Sequence, residues 1–131
     1  MKKTIEITID DFVQVGNKKI KLNLNVYRNL HYKVNNKAKN IFTQRLILDY
    51  PELSLIHSEF VCLNYSIIPN DRQRFDIMNI VSIVDKFFLD ALVNIGCIPD
   101  DDYTHAGYGF IGADNTQKNK NKKIRIFCEF Y

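Results

Sequence analysis

The stretch that decides the fold is Arg74–Asp102, RFDIMNIVSIVDKFFLDALVNIGCIPDDD. Ile77, Ile80, Val81, Val84, Phe88, Ala91, Leu92 and Ile95 recur at steps of three and four, which predicts a helix over 76–95 with one apolar stripe for a core. Gly96 supplies a left-handed stop. On a wheel of about 100° per residue, with Ile77 at zero, Asn79, Lys86 and Asp90 fall together near about 180–220° and Asp76 near about 260°. Asp85 lands near about 80°, on the opposite flank of the stripe. The helix therefore carries Asp76, Asn79, Lys86 and Asp90 on one polar face. Beyond Gly96 come Asp100, Asp101 and Asp102, three consecutive carboxylates that repel one another unless a cation or solvent relieves them.

Upstream, Ile5, Ile7 and Ile9 alternate with polar residues and predict a strand, and Gly16-Asn17 predicts a turn. Ile20, Leu22, Leu24 and Val26 alternate in turn, predicting a second strand paired with the first in an antiparallel hairpin or meander. Residues 28–36 are polar and read as a loop. Ile41, Arg45 and Leu48 take helical spacing from about Asn36, ending before Pro51. Residues 57–68, rich in β-branched and aromatic side chains, read as a central strand. Two more strands are expected near 103–111 and 123–130, joined by the Asn/Gln/Lys-rich loop 114–122. The order β-β-α-β-α-β-β predicts a single α+β domain over 1–131, with two main helices on a mostly antiparallel or mixed sheet.

At 131 residues and 46% hydrophobic content, one domain with an ordinary core is expected. No run approaches the roughly 20 apolar residues of a membrane span, and Asp10 and Asp11 interrupt any apolar leader. A cytoplasmic protein with no membrane partner is the expectation. Cys62, Cys97 and Cys128 have no CxxC spacing and read as buried thiols, and His31, His57 and His105 as structural or surface groups. The net charge of +3 is unevenly spread: +7 over 1–45, −7 over 46–102 and +3 over 103–131. An acidic centre between basic flanks suits an enzyme that grips a polyanion with its flanks and a metal with its centre, and it also arises from ordinary charge scatter.

The 74–102 string resembles the signature of RusA-type Holliday-junction resolvases, the crossover-junction endodeoxyribonucleases of phages and prophages. That pattern runs D-x-D-N, a lysine in the following helix, D-A-L near the helix end, and a D-D pair after a turn. Asp76 and Asn79 match its opening, Lys86 with Asp90-Ala91-Leu92 the K-x-x-x-D-A-L portion, and Asp100-Asp101 the closing pair. Met78 stands where the family has a second Asp, and the Asn79–Lys86 interval is four residues longer than the family's. Four residues make about one helical turn, so Lys86 keeps its face.

The resemblance implies a RusA-like fold and Mg²⁺-dependent cutting of four-way DNA junctions by a homodimer, with Mn²⁺ as a substitute ion. It implies Asp76, Lys86, Asp100 and Asp101 as the catalytic set. Asp76, Asp90, Asp100 and Asp101 are candidate metal ligands, and Asn79 and Asp85 are supporting residues. For the carboxylate missing at Met78 the alternatives are Asp71, Asp85 and Asp90, with Asp85 least favoured by the wheel. Arg28, Lys33, Lys37, Lys39, Arg72 and Arg74 are candidate phosphate contacts. The competing expectation is a branched-DNA-binding protein of the same fold that has lost catalysis with the ligand at Met78; a third is a small phage structural or regulatory protein.

Overall fold

A computed structural model describes residues 2–70, 74–116 and 119–131. Its elements in chain order are β1 (Lys3–Asp10), β2 (Phe12–Val15), β3 (Lys18–Lys21), α1 (Leu24–Asn29), α2 (Tyr32–Asp49), a 3₁₀ turn (Pro51–Leu55), β4 (Val61–Ile68), α3 (Ile77–Ile95), β5 (Ala106–Ala113) and β6 (Lys123–Phe130). The result is a small α+β domain, with a mixed four-stranded sheet in the order β1-β6-β4-β5 and a separate β2-β3 hairpin.

The β4-α3-β5 segment organises the rest. Parallel neighbours need a crossover, and α3 is that crossover: β4 and β5 pair in parallel, while β4 pairs antiparallel with β6 on its other side. β4 is thus interior, and its inward residues Val61, Leu63, Tyr65 and Ile67 are fully buried. α3 lies on this face and is buried more broadly than its apolar stripe suggests, since Ile83, Phe87 and Leu89 are also in the core. Phe87 meets Phe42 of α2 edge to face at 5.7 Å and Tyr27 of α1 at 6.3 Å. Such aromatic pairs add about 0.5–1.5 kcal/mol each beyond area burial. Helices therefore enclose α3 on the side away from the sheet.

The N-terminal third differs from the sequence expectation. β1 pairs with β6, joining the two ends of the chain, and not with the segment that follows it. The Gly16-Asn17 turn closes a hairpin of four-residue strands, with Gly16 at φ 59°. The alternation through Leu24 and Val26 ends in a helix because Asn23 caps it, accepting from the Val26 N–H at 2.9 Å. The supposed loop 28–36 is also largely helical, because His31 Nδ1 accepts from Lys33 N at 3.2 Å and starts α2 at Tyr32. Among the described residues, no helix is long and apolar enough to cross a membrane.

Candidate functional site

Asp76 is the N-cap of α3, its carboxylate accepting from Met78 N at 3.1 Å. Asp90 lies fourteen residues further on, about 21 Å along the axis at 1.5 Å per residue. Ligands of one Mg²⁺ sit about 2.1 Å from it, and paired catalytic ions are about 4 Å apart. The structure therefore does not bring Asp76 to Asp90, and the shared polar face of the wheel is divided by helix length. Met78 is half exposed, and Asn79 lies near Asp76 in the first turn.

At the other end of α3 a polar cleft of about 520 Å³ opens between α2 and α3. Asn36, Lys39, Asn40 and Thr43 line it from α2, Asp90 and Asn94 from α3, and Asp100 and Asp101 from the following loop. The turn is sharp because Gly96 adopts φ 97° and its N–H reaches back to Leu92 and Val93 carbonyls. Buried Cys97 and Ile98 then anchor the loop, leaving Pro99 to Asp102 exposed. Asp100 accepts from the Asp101 N–H at 2.8 Å. Asp102 accepts from the Thr104 N–H at 2.9 Å and from its hydroxyl, and the hydroxyl bond foremost holds its pKa below the ordinary carboxylate value. Asp102 is therefore committed to its own turn, while Asp100 and Asp101 face the cleft.

Lys39 is the cation of this cleft. Its ammonium pairs with Asp90 at 3.3 Å and lies 5.9 Å from the ring centroids of both Tyr27 and Phe87. Lys86 also lies over Tyr27, at 5.8 Å, yet does not line the cleft. The lysine aligned by sequence and the lysine placed beside the carboxylates are different residues on different helices. Arg28, Lys33 and Lys37 are exposed on α1 and α2, and Arg74 is exposed before α3. Arg72 and Asp71 lie outside the described residues, as does Lys118 of the Asn/Gln/Lys-rich loop 114–122.

Asp85 has its own setting. It points towards the sheet, where Tyr65 Oη donates to its Oδ1 at 2.5 Å and Tyr108 Oη donates to its Oδ2. Burial raises its pKa and the like charge of Asp101 adds to this, against the opposing pull of the two hydroxyls. Burial and Asp85 together raise the Tyr65 phenol well above normal, and Tyr108 rises as well. The wheel correctly separates Asp85 from Lys86 and Asp90, but it singles out neither tyrosine. Tyr65 sits within an apolar strand, and contact between residues 20 and 23 positions apart leaves no local pattern.

The donor set decides how this cleft could take Mg²⁺. Among the described residues, no group of three or more His, Cys, Asp or Glu side chains could hold a metal ion. A closed protein cage does not fit. Mg²⁺ also binds through one or two carboxylates with waters and phosphate oxygens filling the octahedron, and Asp100 and Asp101, exposed on one wall, fit that open mode.

Against known proteins, the chain matches no family model and no curated protein.

Proposed function

We propose that this chain is a Mg²⁺-dependent endodeoxyribonuclease of RusA type, nicking branched DNA such as a four-way junction, with the cleft between α2 and α3 as its site. The observation that carries the proposal is the convergence of Asp90, Asp100 and Asp101 with Lys39 in one polar cleft. The similarity of residues 74–102 to the resolvase signature supports it.

In this reading Asp100 and Asp101 would hold the ion, which when bound would supply Lewis-acid activation of a water and positive charge beside the scissile phosphate. Asp90 holds Lys39 in place until a phosphate competes for the ammonium. Lys39 then neutralises the polyanion at the cleft, where the resemblance implies Lys86 as the catalytic lysine. Asn36, Asn40 and Asn94 offer amide donors to phosphate and sugar oxygens. Arg28, Lys33 and Lys37, exposed on the neighbouring helices, extend the positive surface. Paired nicks on a symmetric junction require two sites, so the working form in this reading is a homodimer.

The second reading is a branched-DNA-binding protein without catalysis, favoured by Met78 in place of a carboxylate and by the length of α3 that parts Asp76 from Asp90. A labelled four-way junction with Mg²⁺ or Mn²⁺ separates the two. Paired nicks abolished by Asp101→Asn support the nuclease. Salt-sensitive junction binding with no nicks under either ion supports the second reading, and the absence of both binding and nicking rejects both.

A further inference from the structure

The two edges of the four-stranded sheet are built differently. β1, at one edge, carries Lys3, Glu6 and Asp10, charges that discourage strand addition. β5, at the other, reads AGYGFIGA: eight residues with no charge and no proline. Its central residues are exposed, with Tyr108 at 47%, Phe110 at 53% and Ile111 at 36%. An uncharged edge with three large apolar side chains in water is a template for another strand.

The register of β5 against β4 gives that edge an internal symmetry. Leu63 faces Tyr108 and Tyr65 faces Ile111, so Gly109 and Phe110 together oppose Asn64 in a bulge. Asn64 stabilises the bulge by accepting from Phe110 N at 2.8 Å, and a Cβ on Gly109 would collide with the same Oδ1. Without the bulge, residues 108 and 111 would lie on opposite faces of the sheet, three positions apart. With it, Tyr108 and Ile111 share the helix-covered face, while Gly107 and Gly112, opposite Cys62 and Ser66, share the other.

From this we infer that β5 is the interface between two copies of this chain, paired antiparallel about a two-fold axis between Gly109 and Phe110. That axis stands perpendicular to the sheet, keeps each face on its own side, and sets Tyr108 of each copy against Ile111 of the other. It also sets Gly107 against Gly112, Ala106 against Ala113, and His105 against Asp114. Each aromatic–aliphatic pair is a favourable cross-strand neighbour, formed twice. No like charges meet across the strands. The two sheets become one of eight strands, with β1 at both outer edges. This interface does not depend on the nuclease reading.

The test is the mass of the intact protein by sedimentation equilibrium over two decades of concentration, with hydrogen exchange on the same samples. The wild-type chain is expected to move from the 15.4 kDa monomer to twice that mass, with β5 amides gaining protection as concentration rises. Ile111→Lys places a lysine against Tyr108 at both symmetry-related positions and weakens association by about tenfold or more. Thr4→Lys, on the β1 edge, leaves it unchanged. A wild-type chain that stays monomeric overturns the inference, as does a dimer whose concentration-dependent protection lies away from β5. An Ile111→Lys chain that dimerises like wild type overturns it too. Should that variant fail to fold, the wild-type exchange pattern alone decides.

Discussion

Removal of the Tyr65 hydroxyl offers a direct measure of the Asp85 clamp. Tyr65→Phe leaves a fully buried ring in place and deletes the donor that reaches Asp85 Oδ1 at 2.5 Å. A hydrogen bond to an ionised group contributes about 1.5–3 kcal/mol, against about 1 for a neutral pair. Because Tyr108 still holds Oδ2 and Asp85 keeps some solvent contact, the lower end applies, about 1.5–2 kcal/mol at pH 7. For a chain of this length that lowers Tm by about 5–7 °C. Burial raises the folded-state pKa of Asp85 above the unfolded value, so the native state binds this proton more tightly. Its contribution to stability is full below the unfolded pKa and is lost as pH rises through the folded one. The tyrosine hydroxyls favour the ionised form, so losing one raises the folded pKa further. The cost of Tyr65→Phe is therefore smallest in acid, where Asp85 is protonated in both proteins, and reaches its full value above the folded pKa. Urea titrations of both proteins from acid to neutral pH measure it, with the pair repeated in an Asp85→Asn background, where the pH dependence should vanish. A cost that is the same at every pH, or one that persists undiminished in the Asp85→Asn background, refutes the clamp.

Other substitutions address the ends of α3 and the cleft. Gly96→Ala meets only His57, at 3.9 Å, so its cost is that of holding alanine at φ 97°, about 1–2 kcal/mol in a thermal melt. Asp76→Ala removes the N-cap and should cost about 1 kcal/mol, whereas Asp76→Asn, an equally good cap, should stay within about 0.5 kcal/mol of wild type by denaturant titration. Lys39→Ala should weaken junction binding at every sequence and reduce the slope of log K against log salt by about 1; an unchanged slope places Lys39 outside the DNA contact.

Much of the fold was legible because its signals are local. The spacing from Ile77 to Ile95, the glycine at 96 and the β-branched run ending at Ile68 each report a periodicity or a stop within a few residues, and α3 and β4 follow them closely. β6 occupies its expected residues, 123–130. The N-terminal third was misread where two local signals competed. The alternation at Leu22, Leu24 and Val26 suggested a strand, but the capping side chain of Asn23 turned the same residues into α1. Which strand β1 joins was not legible, since its partner, β6, lies more than a hundred residues away.

The site divides the same way. By itself the sequence determined which carboxylates exist, that α3 carries Asp90 opposite Asp85, and that Asp100 and Asp101 follow a sharp stop. It treated Asp76, Lys86 and Asp101 as one constellation because they are near in sequence and similar to a known signature. The rise of the α3 helix, about 21 Å over fourteen residues, already parts Asp76 from Asp90, whereas tertiary structure alone brings Lys39 from α2 to Asp90. Tertiary structure also set Tyr65 and Tyr108 around Asp85 from two different strands. A helical wheel resolves angle but not rise, and no one-dimensional pattern records which side chains meet when separate elements pack. That is why the carboxylates could be found in the sequence, and their partners only in the fold.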